Sequence, residues 1–152
     1  MSELYNLDAA RGGEQLERMR ALEAEGVCIF CRKQDQNVEH EGAHWYVTRN
    51  DFPYEGTSAH YLIVAREHVE RFEECSEEAG AELWQIRREL VRRLGAPAYA
   101  TVERSGDMHL NGGSVAHLHV HLVALERDPE KTVRFRVSAR GRAERSCADS
   151  GA

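Results

Sequence analysis

The run Ala116-His-Leu-His-Val-His-Leu-Val123 places His117, His119 and His121 in strict alternation with Leu118, Val120 and Leu122. In a strand, alternate side chains share a face, so the three imidazoles would line one side about 6.5–7 Å apart while the aliphatic residues enter the core. A neutral imidazole near pH 7 is a nucleophile and a metal ligand, and it takes a proton on modest provocation. The chain has eight histidines, and three in alternation inside an apolar strand argue for chemistry over a merely solvated face. Two chemistries fit: all three rings could hold one transition metal ion, or one could attack an electrophile while the others support it.

The residues around this run narrow the choice. Asn111-Gly112-Gly113-Ser114 lies just upstream and offers unhindered backbone N–H groups and a hydroxyl, a cradle for phosphate oxygens. A Gly-Gly pair alone is usually just a turn, but beside an imidazole row it gains weight. Cys28 and Cys31 form a C-x-x-C pair. That spacing suits two thiolate ligands of zinc, yet two ligands do not close a tetrahedral site, and a redox dithiol or an inert buried pair has the same spacing.

The elements that must carry these residues are legible in outline. Residues 14–25 are strong helix formers with Leu16, Met19 and Leu22 at helical spacing, stopped by Gly26. Residues 44–48 and 61–64 read as strands separated by a turn-rich stretch, and residues 98–103 as another. The strongest helix covers 77–94, with Ser76 as N-cap, a stripe of Leu83, Ile86, Leu90, Val91 and Leu94, and Gly95 beyond it. Residues 105–114 read as a glycine-rich loop, 117–125 as the histidine strand, and the alternation of Val133, Phe135 and Val137 predicts a last half-exposed strand. Strands outnumber helices and are joined mostly by loops, which predicts an α+β domain with an antiparallel sheet, one long helix and a short N-terminal helix. The organisation expected is an N-terminal helical extension over 1–26, the main domain over 27–137, and a tail over 138–152 without structure.

Composition excludes several classes. At 152 residues the chain suits one domain. Its net charge of −6 lacks the broad basic footprint of a general nucleic-acid binder, and no apolar run is long enough to span a membrane. No basic-then-apolar leader opens the chain, so the cytoplasm is the expected location, with cysteines as thiols or metal ligands. Cys75 and Cys147 are expected as free thiols, and Arg87, Arg88, Arg92 and Arg93 as a solvated helix face. Trp45 and Trp84 read as core or dimer contacts, and His60 as a structural hydrogen-bonding residue.

The histidine run resembles the His-φ-His-φ-His-φ-φ signature of the histidine triad family of nucleotidyl hydrolases and transferases, where φ is apolar. Cys28-Ile-Phe-Cys31 resembles the opening of many bacterial members, and Asn50-Asp-Phe-Pro53 through His60-Tyr-Leu-Ile-Val to His68 resembles the family's ribose-site strand pair. The resemblance implies a homodimer binding a nucleotide, with a purine base, at each site. It implies that His119 attacks the α-phosphate to form a nucleotidyl-imidazole intermediate, that His121 binds phosphate oxygens or the leaving group, and that Ser114 helps at the bridging oxygen. Asn50 would meet the ribose, and Asn111, Gly112, Gly113 and Ser114 the phosphate. It also implies a structural zinc on Cys28, Cys31, His68 and His117, with His40 and His44 as rivals for the third ligand. The intact third histidine favours a hydrolase or phosphorylase branch over the uridylyltransferases, which usually carry Gln there. This chain departs from the family by placing Gly113 where an amide side chain usually precedes the Ser. The Asn usual on the strand before the loop has no counterpart among Glu103, Arg104, Ser105 and Gly106, which makes Arg104 a candidate to meet phosphate instead. The alternatives are a non-catalytic nucleotide-binding module of the same fold and a protein whose three triad histidines share one ion.

Overall fold

The computed structural model describes residues 3–138. Helix α1 (Gly13–Glu25) is followed by strands β1 (Val38–Glu41), β2 (Trp45–Arg49) and β3 (Ala59–Ala65). Helix α2 (Glu77–Leu94), strand β4 (Ala98–Glu103), the single turn α3 (Met108–Asn111) and strand β5 (His119–Leu125) complete the order. The strands form one antiparallel sheet in the order β1-β2-β3-β5-β4. The protein is thus an α+β fold, as the loop-joined strands predict.

The alternation of β5 decides which layer each residue joins. Leu118, Val120 and Leu122 meet Leu83, Ile86 and Leu90 of α2, together with Trp45, Val47 and Ile63, in the main core. Helix α2 begins where the Ser76 side chain accepts from the Ala79 N–H at 3.1 Å and ends at Gly95, whose φ of 57° is the left-handed C-cap conformation. It also steadies the far end of the sheet: the Glu82 carboxylate accepts from the N–H groups of Ala43 and His44, both at 2.6 Å, between β1 and β2.

The opposite face belongs to His119 and His121, which pair with Val64 and Leu62 of β3. Here Cys28, Phe30, Tyr46, Leu62 and Val64 form a second cluster, and Tyr5, Ala10, Met19 and Leu22 of the N-terminal segment and α1 form a third. The Tyr5 hydroxyl donates to the Val27 carbonyl and accepts from the Ile29 N–H, both at 2.8 Å. Tyr5 also bridges Val115, pinning the chain entrance to the residues just before the histidines.

Three sequence expectations change. No strand forms over 133–137: those residues cross the histidine face without joining the sheet, because both edges of β5 are already taken by β3 and β4. Val133 and Phe135 are half-buried there while Val137 is exposed, so the alternation of residue types reports no strand pairing. Residues 38–41, to which the sequence assigns no strand, pair with β2 as an exposed edge strand, and the glycine-rich loop contains the turn α3. The tail over 139–152, with Cys147, lies outside the described residues. Among the described residues no helix is long and apolar enough to cross a membrane.

Leu90 is 4% exposed and touches the core from α2 only, away from the histidines. Leu90→Ala should lower the unfolding free energy by about 2–5 kcal/mol, read from the urea midpoint at unchanged slope. A loss below about 1 kcal/mol would contradict α2 as the cover of that face.

Candidate active site and metal centre

The three histidines that share a sheet face do not share a role. His117, just before β5, donates from Nε2 to the Ala65 carbonyl at 2.7 Å, which leaves the Nδ1 lone pair free. His119 donates from Nδ1 to the His117 carbonyl at 2.7 Å, so its lone pair is on Nε2. His119 lines a cavity of about 750 Å³ that His121, Ser114 and Asn50 also border. Burial pushes the pKa of His119 down to about 4, so the ring is neutral at pH 7. A neutral ring with one nitrogen locked as donor is a nucleophile of defined direction.

His121 is set by a residue on the neighbouring strand. The Tyr54 N–H donates to His60 Nδ1 at 3.0 Å, which puts the proton of neutral His60 on Nε2. That nitrogen faces His121 Nδ1 at 2.9 Å, so His121 keeps its own proton on Nε2. Burial lowers the His60 pKa to about 4 and holds His121 well below the ordinary imidazole range. Tyr54 stacks on His121 with centroids 5.4 Å apart, and Phe30 packs against His119 at 4.9 Å. His60, expected to be structural, orients the third triad ring.

The loop before the triad is closed on itself. The Gly112 N–H donates to the Met108 carbonyl at 3.1 Å, and the Gly113 N–H to Asn111 Oδ1 at 2.8 Å. The two glycine amides expected to cradle phosphate are therefore engaged within the loop, and Asn111 is held there with them. Gly112 and Ser114 border the cavity. Asn50 also borders it, but its Oδ1 accepts from the Phe52 N–H at 2.9 Å and its Nδ2 lies 3.2 Å from the His60 ring.

Cys28, Cys31, His68 and His117 converge, with one donor atom from each lying within 4.8 Å of all the others. His117 Nδ1 is 3.4 Å from Cys28 Sγ and 3.6 Å from Cys31 Sγ, and His68 Nδ1 is 3.3 Å from Cys31 Sγ. Tetrahedral zinc with ordinary Zn–S and Zn–N bonds separates its donors by roughly 3.3–3.8 Å, so the set could hold such an ion. The Ala65 carbonyl on His117 Nε2 is the outer hydrogen bond that aims a metal-binding imidazole. Burial raises the Cys28 thiol to about 11, a cost that a cation would relieve. His40 and His44 stand apart from this group on the β1–β2 side.

Sequence reasoning missed the segment over the histidines. Phe135 meets Tyr54 edge-on at 5.3 Å, and Arg104 donates to the Arg136 carbonyl at 2.9 Å. Gly112, at φ 76°, lets this segment come close: a Cβ there would lie 3.1 Å from the Ser138 carbonyl oxygen. Arg11 donates to the Phe52 and Pro53 carbonyls and stacks over Tyr54 at 5.0 Å. The signal for the crossing segment was the alternation at 133–137, which pattern alone assigns to a strand.

Fold and site together define an α+β protein with a buried imidazole row at a cavity and a Cys2His2 group behind it. A family model for the HIT domain matches residues 32–128, and the chain belongs to that family. Similar solved structures include a histidine triad nucleotide-binding protein from Candida albicans, 18% identical over 80% of this chain and 92% of that one, with a TM-score of 0.59. A HIT family hydrolase from Clostridium thermocellum is 22% identical over 71% and 96%, TM-score 0.53. A Zn-bound histidine triad family protein from Mycobacterium smegmatis is 16% identical over 74% and 84%, TM-score 0.56. At these identities the likeness is one of fold. No curated protein matches the chain.

Two outcomes follow from this geometry. Protein from metal-replete medium should carry one metal ion per chain by elemental analysis, lost in Cys28→Ser and in His68→Ala; metal retained in both would remove the Cys2His2 assignment. Because His60 and His119 titrate near 4 when folded but near 6.5 when unfolded, the unfolded state binds more protons below pH 6.5. Stability should therefore be full above about pH 6.5 and be lost as pH falls towards 4, each histidine contributing up to roughly 3 kcal/mol. A urea midpoint that stays level from pH 6.5 to 4.5 would contradict buried neutral rings.

Proposed function

We propose that this chain is a nucleotidyl hydrolase or transferase that cleaves a phosphoanhydride, phosphoramidate or ester bond at the α-phosphate of a purine nucleotide. The observation that carries the reading is His119: its Nδ1–H is committed to the His117 carbonyl, so a neutral Nε2 lone pair is held at the cavity. In the first step that lone pair bonds to the α-phosphorus while the bond from phosphorus to the leaving group breaks with its electron pair. In the second, water or phosphate attacks the phosphorus and returns the Nε2 lone pair to His119. His121 Nε2–H donates to a phosphate or leaving-group oxygen, and Ser114 assists at the bridging atom. Asn50 meets the ribose, and the Asn111–Ser114 loop borders the phosphates.

The metal on Cys28, Cys31, His68 and His117 is proposed as a structural zinc. Its chemistry is to fix the residues entering β5 and to hold the Cys28–Cys31 loop, with Phe30 between them against His119. The catalytic domain is taken as 27–137, in the cytoplasm, where thiolates persist. A homodimer is supported by β4, an edge strand with Tyr99 half exposed on it.

The test is intact-mass analysis after brief incubation with a diadenosine polyphosphate and with adenosine phosphoramidate. An acid-labile adenylyl adduct should form and be absent in His119→Ala, which should also lose turnover by at least about 1,000-fold while keeping its metal. Turnover retained in His119→Ala would sink the assignment. Nucleotide binding without adduct or product would leave a binding module.

A further inference from the structure

Proton bookkeeping along the ring chain leaves its Arg104 end without an acceptor, and the Asn50 Nδ2 amide, 3.2 Å from His60 Nε2, brings a further donor to the chain. The Tyr54 N–H, His60, His121 and Arg104 succeed one another through three contacts, at 3.0, 2.9 and 3.3 Å. The terminal groups, a backbone amide and a guanidinium, can only donate, and each neutral imidazole between them brings one hydrogen. Four hydrogens thus face three contacts, and one contact must hold two donors. It is the longest, where Arg104 Nη1 meets His121 Nε2. An acceptor with two lone pairs entering beside these groups would take both hydrogens.

Arg104 is short of partners in other respects. Its Nη2 donates to the Arg136 carbonyl, but its Nε is buried without a hydrogen-bond partner. Among the described residues no carboxylate lies within ion-pair distance of it, although other arginines of this acidic chain have such partners. The cavity it borders is also lined by Arg11 and Arg134, and by Arg18 and Lys131, which pair with Asp51 and Glu126; Glu55 and Glu130 are further carboxylates on its lining. With the Gly112 and Gly113 amides already engaged, the cationic and ring donors are the groups left to meet a polyanion.

We propose that Arg104 Nη1 and His121 Nε2–H together bind an oxygen of the leaving group, and that Arg104 selects substrates whose leaving group is itself a phosphate. This rests on the nucleotidyl-transfer reading. When the bond between the α-phosphorus and the bridging oxygen breaks, its electron pair stays on the departing phosphate. The guanidinium meets the charge that develops there, and His121 Nε2–H donates a hydrogen bond to the same group while keeping its proton. An ammonia or neutral alcohol leaving group places no such charge beside Arg104.

The experiment uses the full-length metal-loaded protein and compares diadenosine tetraphosphate with adenosine phosphoramidate, which share the adenylyl half. In Arg104→Gln the ratio of kcat/KM for the tetraphosphate to that for the phosphoramidate should fall at least about 30-fold, and Arg104→Lys should restore most of it. Inorganic tripolyphosphate, titrated by calorimetry, should bind Arg104→Gln at least about 10-fold more weakly, relative to adenosine monophosphate, than it binds the wild type. A ratio unchanged in Arg104→Gln, or tripolyphosphate affinity unchanged, overturns the assignment. If the wild type forms no adduct, the reaction falls, and the tripolyphosphate titration still decides Arg104. Metal content and melting temperature of both variants identify a folding defect, in which case Arg104→Met, which keeps the apolar stem without the charge, replaces Arg104→Gln in the comparison.

Discussion

Each imidazole on the inner face of the sheet is buried and neutral, and so has one proton and one lone pair to place. The rest of the site depends on where a fixed backbone group puts that proton. The Ala65 carbonyl takes the hydrogen of His117, the His117 carbonyl takes that of His119, and the Tyr54 amide, acting through His60, decides for His121. Three chemically identical side chains thus present three different faces, a free Nδ1 on His117, a free Nε2 on His119 and an Nε2–H on His121, without any difference in residue type. Burial makes this assignment firm, since it holds these rings below their ordinary pKa and removes water as a competing partner.

The packing explains why these contacts hold their positions. β5 is the second-last strand of the sheet, clamped by β3 and β4, and its aliphatic residues are locked into the core under α2. The Cys2His2 group sits where the chain enters that strand, and the N-terminal segment crosses just before it through the Tyr5–Val115 bridge. A ligand set at the root of the strand and a helix behind it leave the histidine face little freedom. The opening towards the cavity lies between Tyr54, the Ser114 loop and the crossing segment at 132–138.

Much of this was legible residue by residue. The alternation over 116–123 placed the histidines on one face because a strand has period two. The Ser76 cap, the stripe of α2 and Gly95 marked that helix to the residue, since capping and amphipathicity are local. The Cys28–Cys31 pair announced ligands, but His68 and His117 join it only through strand pairing and a loop return, so spacing alone could not separate them from His40 and His44. The segment 133–137 alternates in residue type yet joins no strand, because pairing needs a free sheet edge beside it and β5 has none. The sequence marks Arg104 only as a candidate to meet phosphate; its contact with His121 has no local signature, because an arginine after a strand is usually solvated.

By itself the sequence determined the family, the long helix, the histidine strand and the chemical kinds of group present, all of which follow from periodicity, capping and motif. Tertiary structure alone decided which imidazole holds which proton, that the glycine amides are spent within their own loop, and that the Arg104 guanidinium faces His121 with no carboxylate beside it among the described residues. These are relations between residues as distant as Tyr54, His60, Arg104 and His121. They depend on hydrogen-bond direction across packed elements, and that is set only when the backbone groups that can solely donate or solely accept are brought against the rings.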